Sequence, residues 1–201
     1  MVLELDDGEN RLTPAALGVW ESALEQALEP DVTALVTTGS GKFYSNGLDI
    51  ASITEPYLER VTTLLARLVA LPVVTVAAVN GHAFGAGAML LLAHDSRVMR
   101  TDRGYVCLPE IDLGMPFPPL MSALVRGKLP AATAQEAMTF GLRYAGPQAL
   151  AGGFVGAIAG EADLLPAALA VARERGGKQR AALGVIKADL YSGILALGGC
   201  D

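Results

Sequence analysis

The chain is poor in the residues that build metal centres and covalent frameworks. Its 201 residues include two cysteines and two histidines. Cys107 and Cys200 stand far apart, and neither belongs to a Cys-x-x-Cys pair. That excludes the cysteine-dense framework of small secreted domains and, with so few histidines, argues against a Cys/His metal site. Two reduced thiols in a cytoplasmic protein are the expectation. A basic stripe is also missing. The net charge is -6, with both signs mixed along the chain, so no nucleic-acid partner is expected.

Long uninterrupted apolar runs are absent too, although 52% of the residues are hydrophobic. The stretch 64–79 is broken by Arg67 and Pro72. The run 83–93 falls short of the roughly 18 apolar residues that a membrane span needs. Both read as buried core, and no membrane partner is expected. The chain begins Met1-Val2-Leu3-Glu4-Leu5-Asp6-Asp7, with no basic region ahead of an apolar one, so no signal peptide is expected. The terminal Gly199-Cys200-Asp201 matches neither a peroxisomal address nor a prenylation box.

What is present suits one α/β domain with a sizeable core. Leu17, Trp20, Leu24 and Leu28 recur at helical spacing after Thr13-Pro14, which predicts a helix over 14–29. Residues 32–37 and 97–100 read as strands, and 57–71 as a helix ended by Pro72. Residues 73–79 are β-branched without polar alternation, which predicts a strand buried on both faces. Residues 88–93, 121–129, 133–140 and 164–175 read as helices. No internal repeat is evident.

Three segments could carry chemistry. The first is Gly41-Lys42-Phe43-Tyr44-Ser45-Asn46-Gly47-Leu48-Asp49-Ile50, directly after a strand. Its glycines allow backbone shapes closed to other residues and could aim an amide N–H into a cleft. An ordinary strand-to-helix turn explains it as well. The second is Asn80-Gly81-His82-Ala83-Phe84-Gly85-Ala86-Gly87 ahead of a helix, whose free N–H groups attract negative charge. The glycine spacing fails both the dinucleotide fingerprint and the phosphate loop. Close helix–strand packing is the plainer explanation. The third is Leu108-Pro109-Glu110-Ile111-Asp112-Leu113-Gly114-Met115-Pro116, two carboxylates in an apolar stretch. Desolvation raises the pKa of such a carboxylate and suits it to general-base work, whereas a solvated surface acid would do nothing. If the stretch is extended, Asp112 shares a face with Glu110. His82 and His94 read as packed or hydrogen-bonded histidines, and Lys42 as a solvated lysine.

In series, Phe43 to Asp49, Asn80 to Gly87 and Pro109 to Gly114 resemble the crotonase (enoyl-CoA hydratase/isomerase) superfamily pattern F-x-x-G-x-D, N-G-x-x-x-G-x-G, P-E-x-x-x-G. The resemblance covers about residues 30–145. Within the family, Ser45 to Asp49, Met99 to Gly104 and Ser122 to Arg126 resemble the plant-type enoyl-CoA delta isomerases.

The resemblance implies a spiral of β-β-α units over about 1–140, then a helical region over about 141–201, all in one domain. It implies a homotrimer or a dimer of trimers. It implies an acyl-CoA thioester substrate and no cofactor beyond the coenzyme A that the substrate carries. By resemblance, the amides of Leu48 and Ala86 form an oxyanion hole. Ser45, Asn46, Gly47, Asp49, Ile50 and Gly85 contact the substrate, and no metal takes part. Hydratases of the family carry a second glutamate where this chain has Met89, whereas isomerases keep only the glutamate matched by Glu110. The implied reaction is transfer of a 3-enoyl-CoA double bond to the 2-trans position, with Glu110 as base. A hydratase or other acyl-CoA enzyme on the same scaffold, or a non-catalytic acyl-CoA-binding subunit, are the alternatives.

Overall fold

The computed structural model describes residues 1–198; Gly199, Cys200 and Asp201, with the terminal motif read above, lie outside the described residues. The elements run β1 (Val2–Leu5), α1 (Pro14–Gln26), β2 (Ala34–Gly39), β3 (Phe43–Ser45), α2 (Glu55–Ala70), β4 (Val74–Val79), β5 (His82–Phe84), α3 (Ala86–Ala93), β6 (Ser96–Arg100), β7 (Val106–Cys107), α4 (Pro119–Lys128), α5 (Ala131–Phe140), β8 (Arg143–Tyr144), α6 (Gly146–Ala151), β9 (Ala157–Ala159), α7 (Glu161–Arg175), α8 (Arg180–Leu190) and α9 (Ser192–Leu195). Short 3-10 turns cover Ile50–Ser52 and Pro109–Ile111.

The strands divide between two sheets. One is parallel, in the order β1-β2-β4-β6-β9. The other has the order β3-β5-β7-β8, antiparallel only at its β7–β8 edge. Three successive units, β2-β3-α2, β4-β5-α3 and β6-β7-α4, each send their first strand to the large sheet and their second to the small one. This is the β-β-α spiral that the resemblance implies. The repeat is one of backbone path. Strands β3, β5 and β7 hold three, three and two residues, too few to leave a period in the sequence.

Strand β4 is buried on both faces, as its unbroken apolar run predicts. Ala77 and Val79 face the main core with Leu64, Leu65 and Leu68 of α2, while Val74, Val76 and Ala78 meet Leu164, Ala168 and Ala172 of α7. At about 2 kcal/mol for each fully buried Leu side chain, α2 alone makes a large contribution to docking its face on the sheet. Thr13 caps α1 by accepting from the Ala16 N–H at 3.1 Å, with Pro14 at the first helical position.

The region after residue 141 is helical in the main but not wholly so. Strands β8 and β9 complete one edge of each sheet, because the exposed β7 and β6 edges need backbone partners. Helix α8 is pinned to the base of the large sheet. The buried Lys187 Nζ donates to Asp95 Oδ2 at 2.6 Å and to the carbonyls of Leu71 and Val73 at 2.8 and 2.9 Å. No helix among the described residues is long and apolar enough to cross a membrane.

Candidate active site

The Gly47 turn leaves β3, and Gly85 leads into α3. Gly47 holds φ +80° and Gly85 φ +52°, both in the region that favours glycine. A Cβ on Gly47 would stand 2.6 Å from the Phe84 carbonyl oxygen and 3.2 Å from the Ala86 nitrogen, so the two turns touch only because residue 47 has no side chain.

Hydrogen bonds orient one peptide in each turn. The Gly47 carbonyl accepts from the Leu12 N–H at 2.8 Å. In a trans peptide the C=O and N–H point in opposite directions, so the Leu48 N–H is turned away from Leu12. The Gly85 carbonyl accepts from the Ala88 and Met89 N–H groups at 2.9 and 3.1 Å, which turns the Ala86 N–H outward from the start of α3. Among the described residues, neither the Leu48 nor the Ala86 N–H has a protein acceptor. The start of α3 adds the positive end of its dipole at Ala86.

Both residues line a cleft of about 200 Å³, together with Asn46, Gly47, Ile50, Gly85 and Glu110. Glu110 lies in the Pro109–Ile111 turn, and a Cβ on Gly85 would stand 3.5 Å from its Oε1. Its Oε2 is buried and has no hydrogen-bond partner. Desolvation lifts the carboxyl from its ordinary value of 4.5 to about 7, partly opposed by its own backbone N–H. A group in that range can both take and return a proton near neutrality. The cleft is mostly apolar, walled by Ile53, Phe84, Pro109, Leu113 and Met115.

The structure therefore gathers Leu48, Ala86, Glu110, Asn46, Gly47, Ile50 and Gly85 at one cleft. Ser45 and Asp49 are not among the residues that line this cleft, and their side chains bond elsewhere in the protein. The Ser45 side chain is fully buried, its Oγ donating to the Asn10 carbonyl at 2.7 Å. Asp49 turns back on its own segment and accepts from Ser52 Oγ at 2.5 Å. Both brace the turn.

The shared-face argument for Asp112 also fails, because residues 109–111 form a 3-10 turn rather than a strand. Asp112 is exposed, and its carboxylate lies beside Gly141. Lys42 is exposed, with its ammonium 5.3 Å from the centre of the Phe43 ring. His82 Nδ1 accepts from the Tyr105 N–H at 3.2 Å. His94 is fully buried, bonded to Thr37 Oγ1 and the Leu90 carbonyl, and burial drives its pKa down to about 4. Burial likewise raises the Cys107 thiol, which donates to the Gly141 carbonyl. Met89 is fully buried in α3.

Sequence reasoning missed Arg11, which lines the cleft and donates from Nη1 to the Leu48 carbonyl at 3.2 Å. Nothing local marks it. Only the bridge between Leu12 and Leu48 brings this early segment to the turn.

Comparison with known proteins agrees with this architecture. Residues 2–194 match the family model described as enoyl-CoA hydratase/isomerase. Enoyl-CoA delta isomerase 2, peroxisomal, of Arabidopsis thaliana is 36% identical over 172 residues, which are 78% of this chain and 72% of that one. Enoyl-CoA delta isomerase 3 of the same plant is 38% identical over 162 residues, 74% and 68% of the two chains. The apo structure of an enoyl-CoA isomerase from Mycobacterium tuberculosis superposes with a TM-score of 0.91 at 30% identity, covering 98% of this chain and 89% of that one. On the match along almost its whole length and on the shared fold, the chain belongs to the enoyl-CoA hydratase/isomerase family.

Proposed function

We propose that the protein is an acyl-CoA double-bond isomerase that converts a 3-enoyl-CoA to the 2-trans-enoyl-CoA. The observation that carries this reading is Glu110, a carboxyl with a buried, unpartnered Oε2 and a pKa raised to about 7, in the cleft lined by Leu48 and Ala86. In the proposed reaction Glu110 removes a proton from C2, alpha to the thioester. The C–H electron pair moves into a dienolate, and negative charge gathers on the thioester oxygen. The Leu48 and Ala86 N–H groups act as the oxyanion hole for that charge. Glu110 then delivers the proton to C4, and the double bond ends between C2 and C3. No water is consumed. One such donor contributes roughly 10²–10³ in rate, and a positioned base roughly 10²–10⁴.

The buried Met89 favours this over hydration. Adding water to a 2-enoyl thioester needs a second group to activate the water, and the residue at the hydratase position cannot titrate. The names of the Arabidopsis relatives agree. Assaying the purified protein for both reactions tests the choice. Double-bond transfer in 3-enoyl-CoA without hydration of 2-enoyl-CoA is the expected result. Hydration alone would overturn the proposal.

A further inference from the structure

The turn that carries Leu48 is held at a fixed distance from the Leu12 segment by the phenol of Tyr57. Leu12 and Leu48 form an isolated parallel bridge. One side of it is closed directly, by the Leu12 N–H donating to the Gly47 carbonyl at 2.8 Å. On the other side the Asp49 N–H donates to Tyr57 Oη at 2.9 Å, and Tyr57 Oη donates to the Leu12 carbonyl at 2.7 Å. A phenol oxygen is thus inserted where a backbone bond could close the bridge. The tyrosine is buried, and it comes from the first turn of α2, whose other apolar residues are locked in the main core. The peptides on either side of Leu48 are therefore referenced to a rigid helix.

We infer that Tyr57 is a positioning residue, setting the direction of the Leu48 N–H through the Asp49 amide. The inference rests on the proposed role of that N–H. Without the hydroxyl, the Asp49 N–H and the Leu12 carbonyl have two outcomes. They can remain buried and unpaired, or they can close on each other and draw the turn toward Leu12. Closure replaces two successive bonds by one and rotates the neighbouring Leu48 peptide. A displacement on the order of 1 Å at a reacting centre costs up to about 10²-fold in rate. Ground-state binding of the thioester, spread along the rest of the cleft, is largely unaffected.

Tyr57→Phe removes that oxygen and keeps the ring in the core. The measurement is kcat and KM for 3-enoyl-CoA turnover. It is paired with the absorbance of the enolate that a bound 3-oxoacyl-CoA forms, a direct reading of oxyanion stabilisation. The expected result is a kcat lowered about ten- to a hundredfold, a KM within about threefold, and a weaker enolate band at saturating ligand. A folded Tyr57→Phe protein with wild-type kcat and enolate band would overturn the inference. If that variant does not fold, Arg11→Met loosens the same turn from the surface by removing the bond to the Leu48 carbonyl. The enolate band at saturating ligand must then weaken in it, and an unchanged band overturns the inference. Glu110→Gln run alongside separates the two levels. Full turnover in Glu110→Gln sinks the mechanism proposed for this cleft, with Glu110 as its base, whereas an inactive Glu110→Gln beside an unimpaired Tyr57→Phe sinks only the role of Tyr57.

Discussion

The carboxylate of Glu110 lies against the backbone of Gly85, close enough that a Cβ there would stand 3.5 Å from Oε1. Gly85 immediately precedes Ala86, which lines the same cleft at the start of α3. A buried carboxyl and a backbone N–H without a protein acceptor among the described residues thus share one wall, and the consequences of the roles proposed for them can be measured.

The first consequence is a pH dependence. Glu110 must be ionised to act as a base, so kcat/KM should rise about tenfold per pH unit below about pH 7 and level off above it. Stability should run the other way. The folded carboxyl titrates near 7 and the unfolded one near 4.5, so between these values the folded state holds the extra proton. The stability present below about pH 4.5 is therefore lost as pH rises through about 7. The loss is on the order of 3 kcal/mol over the whole range, about 2.5 pH units at about 1.4 kcal/mol each. Denaturant melts at pH 5 and pH 8 check it, and Glu110→Gln should abolish that part of the difference.

Gly47→Ala should damage both stability and turnover. Its φ of +80° disfavours any side chain, and the new methyl would meet the Phe84 carbonyl at 2.6 Å. The two turns must part, carrying Leu48 away from Ala86. The expected cost is about 1–3 kcal/mol in unfolding free energy, with a kcat loss larger than any change in KM. Thermal melts and steady-state kinetics on the same preparation report both.

Asp112→Asn should be close to silent. This carboxylate is exposed and lies beside Gly141, outside the cleft lining. Turnover within about twofold of wild type and a stability change within about 0.5 kcal/mol are expected. A loss comparable to that of Glu110→Gln would move the base to Asp112.

Met89→Glu should not create a hydratase. The side chain is fully buried in the main hydrophobic core, and a carboxylate there would be cut off from solvent. Destabilisation of several kcal/mol is expected, while Met89→Leu should cost less than about 1.5 kcal/mol. Melts of both variants, with 2-enoyl-CoA hydration assayed in each, give the answer.

Much of the large sheet could be read from the chain because its strands are long enough to show a pattern. The double-faced burial of β4 follows directly from its apolar run. The small sheet was invisible, since two or three residues per strand carry no periodicity. Residues 82–84 lay hidden in what read as a glycine-rich loop, although they pair with both β3 and β7. At the site, the glycines and Glu110 stood out by residue type, because only glycine fits such approaches and a lone acid among apolar neighbours is conspicuous. Ser45 and Asp49 stand beside Leu48 in sequence yet turn their side chains to bonds within the protein, because proximity in sequence does not fix the side of a turn that a side chain takes. Arg11 and Tyr57 act across 37 and 45 residues of sequence, through bonds that no local signal announces.

The most direct test of the account is 3-enoyl-CoA isomerisation by Glu110→Gln. The variant keeps the shape of the side chain and removes its ability to accept a proton. The account predicts a folded protein that still binds acyl-CoA but turns over roughly 10²–10⁴ times more slowly. A folded Glu110→Gln protein isomerising at the wild-type rate would contradict it.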